Sequence, residues 1–187
     1  LASASALAPT PLLALALALA LLSAGCGRPA QGKLAAPPEP PMRTILVTGF
    51  GPFLDVKVNP SWEAIRGLEG TVIGKSRITV AQLDVTYRSA AEQLQAAIDR
   101  AQPDAVLSLG VCGDPALRLE SLARNRATAA APDVAGEVRA GRTIREGGPD
   151  TLESRLPLEA LRAALNDAGF PTQDSEDAGG YLCNHLF

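Results

Sequence analysis

Hydrophobic positions along the chain fall into short blocks, and the spacing inside each block names the element it builds. Residues 44–48 form a continuous β-rich run, Thr-Ile-Leu-Val-Thr, of the kind buried on both faces of a parallel sheet. Residues 78–85 alternate at Ile78, Val80, Leu83 and Val85 with one slip of register and predict a second strand. Over 87–101 the period changes, with Ala90, Ala91, Leu94, Ala97 and Ile98 at helical spacing until Pro103 stops the helix. Residues 105–110 predict a further buried strand ending in Gly110, and 117–125 a weaker one that contains Glu120. Asn59-Pro60-Ser61-Trp62-Glu63 supplies a capping residue, a proline at the first helical position and an acid in the first turn, so a helix starts there. Residues 127–148, rich in Ala, Gly, Pro and Arg, predict a long excursion over the surface. A helix over 157–168 closes at Gly169, and a short strand precedes Gly179. Strands alternating with helices predict an α/β fold, a three-layer α/β/α sandwich with a mixed, mostly parallel sheet.

The first 41 residues follow a different pattern. Residues 12–22 are only Leu and Ala, the length of a signal-peptide core and too short for a comfortable transmembrane span. Ser23-Ala24-Gly25-Cys26 follows and is similar to a bacterial lipobox, with Cys26 as the lipidated residue; the usual Leu stands one place early, at Leu22. Residues 27–41 are Pro-rich, with Pro37-Pro38 and Pro40-Pro41, and read as an extended tether. The expected organisation is a signal and lipobox over 1–26, a tether over 27–41 and a folded domain over 42–187, held in the cell envelope or periplasm by a lipid anchor. The alternative is a cytoplasmic protein whose translation begins at Met42.

A net charge of -3 without a basic cluster argues against nucleic acid as a partner. Three cysteines and one histidine, widely spaced, do not make a disulfide scaffold or a zinc site with paired ligands, so neither metal nor cofactor is expected. Two stretches carry candidate chemistry. Gly49-Phe50-Gly51-Pro52-Phe53 places a tight turn and two aromatic rings at the carboxyl edge of the first strand, where open α/β sheets bind ligands. Without the lysine and Ser/Thr of a phosphate loop, that turn does not read as one. Gly179-Gly180-Tyr181-Leu182-Cys183 places a thiol at a loop-to-helix junction, where a helix N-terminus stabilises a thiolate. From the residues alone, Cys183 is either that reactive thiol or a small buried apolar residue, and the two phenylalanines are either a pocket wall or core.

Taken together, Thr48-Gly49-Phe50-Gly51-Pro52-Phe53, Val58-Asn59-Pro60-Ser61-Trp62, Leu119-Glu120 with Asn125, Pro132-Asp133 and Cys183-Asn184-His185 resemble the pyroglutamyl peptidase I family, also called pyrrolidone carboxyl peptidase. The resemblance spans 42–187. It implies a phosphorylase/hydrolase-like fold, no metal, a homotetrameric assembly, and removal of N-terminal 5-oxoproline from small pyroglutamyl peptides. It further implies that Cys183 is the nucleophile that forms a thioester, and that Glu120 is the acid that orients a catalytic histidine. Phe50, Phe53 and Tyr181 would line the lactam pocket, Tyr181 standing where the family usually has phenylalanine, and Asn59 would make a polar contact beside it.

Several positions depart from the family. The family's catalytic histidine lies downstream of the cysteine, past Phe187, together with a final helix and strand, so the natural chain is expected to continue and this one to be inactive as it stands. His185 matches a family histidine next to the nucleophile, and at an offset of two on a helix it does not face Cys183. Ala130 stands where the family has an arginine near the developing oxyanion, and Val111 and Val134 replace polar residues. These changes motivate an alternative to the peptidase, an envelope-anchored homologue that binds peptides without cleaving them. Cys112, after the strand that ends at Gly110, is expected on the same sheet edge as Cys183, where an oxidising compartment could join the two thiols.

Overall fold

The computed structural model describes residues 41–187 apart from Leu54. The signal-like segment, Cys26 and all but the last residue of the tether lie outside the described residues.

Strand β1 (Arg43–Phe50) is the centre of the principal sheet. Helix α1 (Pro60–Glu63) follows it, capped by Asn59, whose side chain accepts from the Ser61 amide. It stops after four residues. Its position explains Gly49, where a Cβ would lie 2.6 Å from the Ser61 carbonyl oxygen, so only glycine lets α1 cross β1 this closely. A short β2 (Val72–Ile73) then pairs antiparallel with β3 (Ser76–Leu83), and β3 runs parallel to β1 along its whole length. Helix α2 (Tyr87–Ala101) has both ends where the sequence places them: Thr86 caps the Ser89 amide and Gln102 turns left-handed at φ 43°. Strand β4 (Ala105–Ser108) returns on the other side of β1, giving the order β2-β3-β1-β4.

That order matters for function. The carboxyl ends of the parallel strands β1 and β4 lie side by side, with Phe50 closing β1 and Gly110 two residues past β4, and it is at such ends that open α/β sheets bind ligands. Two apolar clusters sandwich the sheet. One gathers Phe50, Leu83, Val85, Tyr87, Ala90 and Leu182, and the other Val47, Ile65 and Ile78 with Trp62 and Leu107 packed on them.

The run 117–125 is not one strand. It breaks at Ser121 into β5 (Leu117–Glu120) and β6 (Leu122–Arg124). The three-residue β7 (Thr151–Glu153), too short and exposed to show a period, pairs antiparallel with β6. Helix α3 (Leu158–Asp167) leads to β8 (Thr172–Ser175), which pairs parallel with β5. The expected single sheet is therefore three: four strands and two separate pairs. The break has a visible cause, because the Ser121 amide and hydroxyl both donate to the Ser175 carbonyl while its own carbonyl accepts from Ser154 on the β7 side. The excursion over 127–148 is irregular as expected, but Asp133 within it is 3% exposed and belongs to the core. The last element is α4 (Leu182–Leu186).

Candidate active site

The candidate residues gather at the ends of β1 and β4, which α4, packed on α2 and β6, reaches through Cys183. At the end of β1 the Phe50 amide donates to Ser61 Oγ at 3.0 Å, and the Gly51 amide to the Leu83 carbonyl at 2.8 Å. Asn59 Nδ2 donates to the Gly51 carbonyl at 2.9 Å, while its Oδ1 accepts from the Ser61 amide and hydroxyl. Asn59 is 3% exposed. Its expected role beside the substrate is corrected accordingly: the side chain braces the loop that carries Phe50 and Phe53 and is enclosed by it. Phe50 lies in the core cluster, and Phe53 and Tyr181 pack half-buried against it. The Tyr181 hydroxyl donates to the Pro132 carbonyl at 3.0 Å, tying the excursion to the start of α4.

Cys183 is the second residue of α4. Its sulfur lies 2.5 Å from where a Cβ would stand at Gly110, and Phe50 Cε2 lies 3.9 Å from that same point. The thiol thus rests on bare backbone at the end of β4, beside the Phe50 ring. Water reaches the residue, but its sulfur is recessed among protein atoms. Desolvation pushes the thiol pKa up, the Glu120 carboxylate and Cys112 push it further, and the residue's own backbone N–H opposes them weakly. This corrects the expectation that the helix start alone would yield a ready thiolate. A helix of five residues contributes little dipole against three opposing influences.

Glu120 ends β5. Arg118 Nε lies 3.3 Å from Oε1, while Oε2 is buried without a hydrogen-bond partner among the described residues. Cys112 and Cys183 are both free thiols. Ala130 is exposed, and so are Val111 at 46% and Val134 at 54%. Val134 lines a hollow of about 290 Å³ with Gly51, Pro52, Gln82, Asp84, Val85 and Thr86. A larger hollow of about 370 Å³ is lined by Arg124, Arg126 and residues of 143–151, and none of the candidate residues reaches it.

His185 faces away from the thiol. Its ring meets Tyr87 edge-on at 5.3 Å, its Nε2 lies 3.3 Å from Arg139 Nη1, and burial followed by the Arg139 charge lowers its pKa. Arg139 also lies over the Tyr87 ring at 4.9 Å. Asp133 holds this group together, accepting from the amides of Tyr87, Ala135 and Glu137. Sequence reasoning missed three supporting residues. Gly110 was read only as a strand end, Asp133 only as part of a motif, and Asn184 only as a neighbour of the cysteine. Asn184 is 4% exposed and bonds the backbone of Arg124 and Arg126. A buried amide next to a reactive-looking thiol was the available signal.

Among the described residues no group of three or more His, Cys, Asp or Glu side chains could hold a metal. What converges is a recessed thiol, a carboxylate and an aromatic wall at the carboxyl end of a parallel sheet, the equipment of an α/β cysteine hydrolase. Comparison with known proteins narrows that class. A family model described as pyroglutamyl peptidase matches residues 43–187. A pyrrolidone-carboxylate peptidase of Erwinia tasmaniensis is 38% identical over 146 residues, covering 78% of this chain and 68% of that protein. The crystal structure of pyroglutamyl peptidase I from Bacillus amyloliquefaciens superposes with a TM-score of 0.75 at 34% identity, covering 78% of this chain and 71% of the other. A mutant pyrrolidone carboxyl peptidase from Pyrococcus furiosus gives 0.74 at 32% identity, over 76% and 69%. This chain belongs to the pyroglutamyl peptidase family.

Proposed function

We propose that the protein is a cysteine exopeptidase that removes pyroglutamate from the N-terminus of peptides, with Cys183 as nucleophile. The observation that carries this reading is the seating of the Cys183 sulfur on Gly110 beside Phe50, past the carboxyl end of β4. The lactam ring, uncharged and compact, fits a wall of Phe50, Phe53 and Tyr181. The sulfur attacks the pyroglutamyl carbonyl, the peptide amine leaves with a proton, and water hydrolyses the resulting thioester. Because the thiol pKa is raised, the first step needs a base that takes its proton. His185 is turned away, and the unpartnered Glu120 Oε2 is the acceptor that would orient the N–H of an imidazole base, as the family resemblance implies.

Release of 7-amino-4-methylcoumarin from its pyroglutamyl amide by the natural protein tests the proposal. Activity is expected to be abolished in Cys183→Ser and by iodoacetamide. Turnover surviving in Cys183→Ser would refute the assignment, and no turnover by the natural protein would favour peptide binding without cleavage.

The leader supports a second part of the reading. The Leu/Ala run, the Ser23–Cys26 lipobox-like stretch and the Pro-rich tether support a lipid anchor at Cys26, which we propose holds the domain at a membrane. Metabolic labelling with palmitate, lost in Cys26→Ala, is the expected result. Homotetramer formation is carried by the resemblance alone, and light scattering on the purified protein tests it.

A further inference from the structure

Helix α4 has five residues and no side-chain cap at its start, where the His185 amide bonds the Tyr181 carbonyl, so it is too short to hold its own orientation. Leu182, 2% exposed, anchors it by apolar contact, which fixes depth but not rotation. The directional contacts come from Asn184. Its Oδ1 accepts from the Arg124 amide at 2.7 Å, and its Nδ2 donates to the carbonyls of Arg124 at 2.9 Å and Arg126 at 3.2 Å. Strand β6 uses its other edge for β7, so the Asn184 amide acts as a one-residue strand on the edge that β7 leaves. The same edge takes the Ala178 amide at the Leu122 carbonyl, and the Gly180 carbonyl accepts from Thr128 and Ala129 further along.

Glu120 lies two residues before β6, locked through Ser121 to Ser175. Cys183 lies one residue before Asn184. The path from thiol to carboxylate therefore runs through one side-chain amide and residues 120–124, that is β6 and the Ser121 break before it. We propose that Asn184 is a positioning residue, which sets the placement of Cys183 relative to Glu120 by docking α4 on strand β6. The inference rests on the reading of Cys183 and Glu120 as catalytic partners. Both polarities of the amide are used, so neither an apolar residue nor aspartate reproduces the contact.

The test uses the natural protein and reads the alkylation rate of the Cys183 peptide with iodoacetamide, followed by mass spectrometry across a pH series. Glu120 on β5 and Cys112 after β4 are the titratable groups that act on this thiol, so every comparison is made in a Cys112→Ser background. Glu120→Gln is expected to change the alkylation rate at neutral pH roughly threefold or more, upward where loss of the charge on the thiol dominates and downward where loss of support for the imidazole base does. In Asn184→Ala that ratio falls below about 1.5-fold. Asn184→Gln keeps the amide but adds a methylene; it folds, keeps its KM, loses kcat and shows the same reduced ratio. Circular dichroism identifies any variant that fails to fold, and the glutamine variant then decides. An unchanged ratio in the folded variants overturns the proposal. No effect of Glu120→Gln in the background protein overturns the pairing beneath it and the proposal with it. Coupling that is present in the background protein and lost in the folded Asn184 variants, without peptide hydrolysis by any of them, supports the positioning role and refutes only the peptidase reading.

Discussion

Gly110→Ala isolates the seat of the thiol from the stability of the fold. The added methyl would stand 2.5 Å from Cys183 Sγ, against an ordinary contact of about 3.5 Å or more. The sulfur must therefore retreat by about 1 Å, and a displacement of that size at a reacting atom costs on the order of 100-fold in rate. Stability is expected to change little. Gly110 is exposed and is not left-handed, and alanine restricts the unfolded chain, an effect of about 0.4–1 kcal/mol in the opposite direction. Gly113, in the same loop, has nothing within 4 Å of its missing Cβ, so Gly113→Ala is the control and is expected to be neutral. Steady-state hydrolysis of a pyroglutamyl coumarin amide, together with urea melts, measures both quantities. A Gly110→Ala protein within twofold of the parent in kcat/KM would refute the seating argument, as would equal losses in the Gly113→Ala control.

Other parts of the molecule give further expectations. Asp133→Ala strips the acceptor from three buried or half-buried amides and is expected to cost about 3 kcal/mol in urea unfolding; a loss under about 1 kcal/mol would mean that water replaces the carboxylate. His185 has a depressed pKa in the folded state, so below the unfolded value of about 6.5 the unfolded chain binds the extra proton and stability falls as pH drops. Urea midpoints from pH 7 toward 5 should therefore decline, and His185→Phe should flatten the decline; parallel curves would contradict this. With hydrogen peroxide, the Cys183 thiolate forms a sulfenic acid that condenses with the Cys112 thiol, releasing water. A Cys112–Cys183 linked peptide is expected by mass spectrometry, and two free thiols after oxidation, with no reductant present, would exclude the link.

The sequence was most informative where one period was clean. Residues 87–101 carry both a helical stripe and two stop signals, and α2 has those limits. The β1 core was legible because its apolar run is buried by neighbours on both sides. It was least informative where pairing partners are distant, as with β7, whose three residues are defined by hydrogen bonds to β6 and not by their own composition, and for β8 it named the strand but not its partner β5. For the candidate site, Cys183, Glu120 and the aromatic residues could be named from motif, since chemistry restricts their identities. The supports could not, because Gly110 matters for an atom it lacks, Asn59 for a loop it closes, and Asn184 for a strand sixty positions earlier. Composition also misjudged 127–148, where one carboxylate turns a surface-like excursion into a wall of the core.

The edge of β6 has a consequence for what the protein can grip. A strand edge with open amides and carbonyls invites an extended peptide to add itself as a further strand, the means by which many proteins hold long partners. Here the amide and carbonyl of Arg124 are both taken by one side chain, and the Leu122 carbonyl by Ala178. A peptide arriving at Cys183 finds no ladder on this strand. Along β6, whatever follows the first residue is held by side chains or left to solvent, and that strand's backbone does not tell a long partner from a short one.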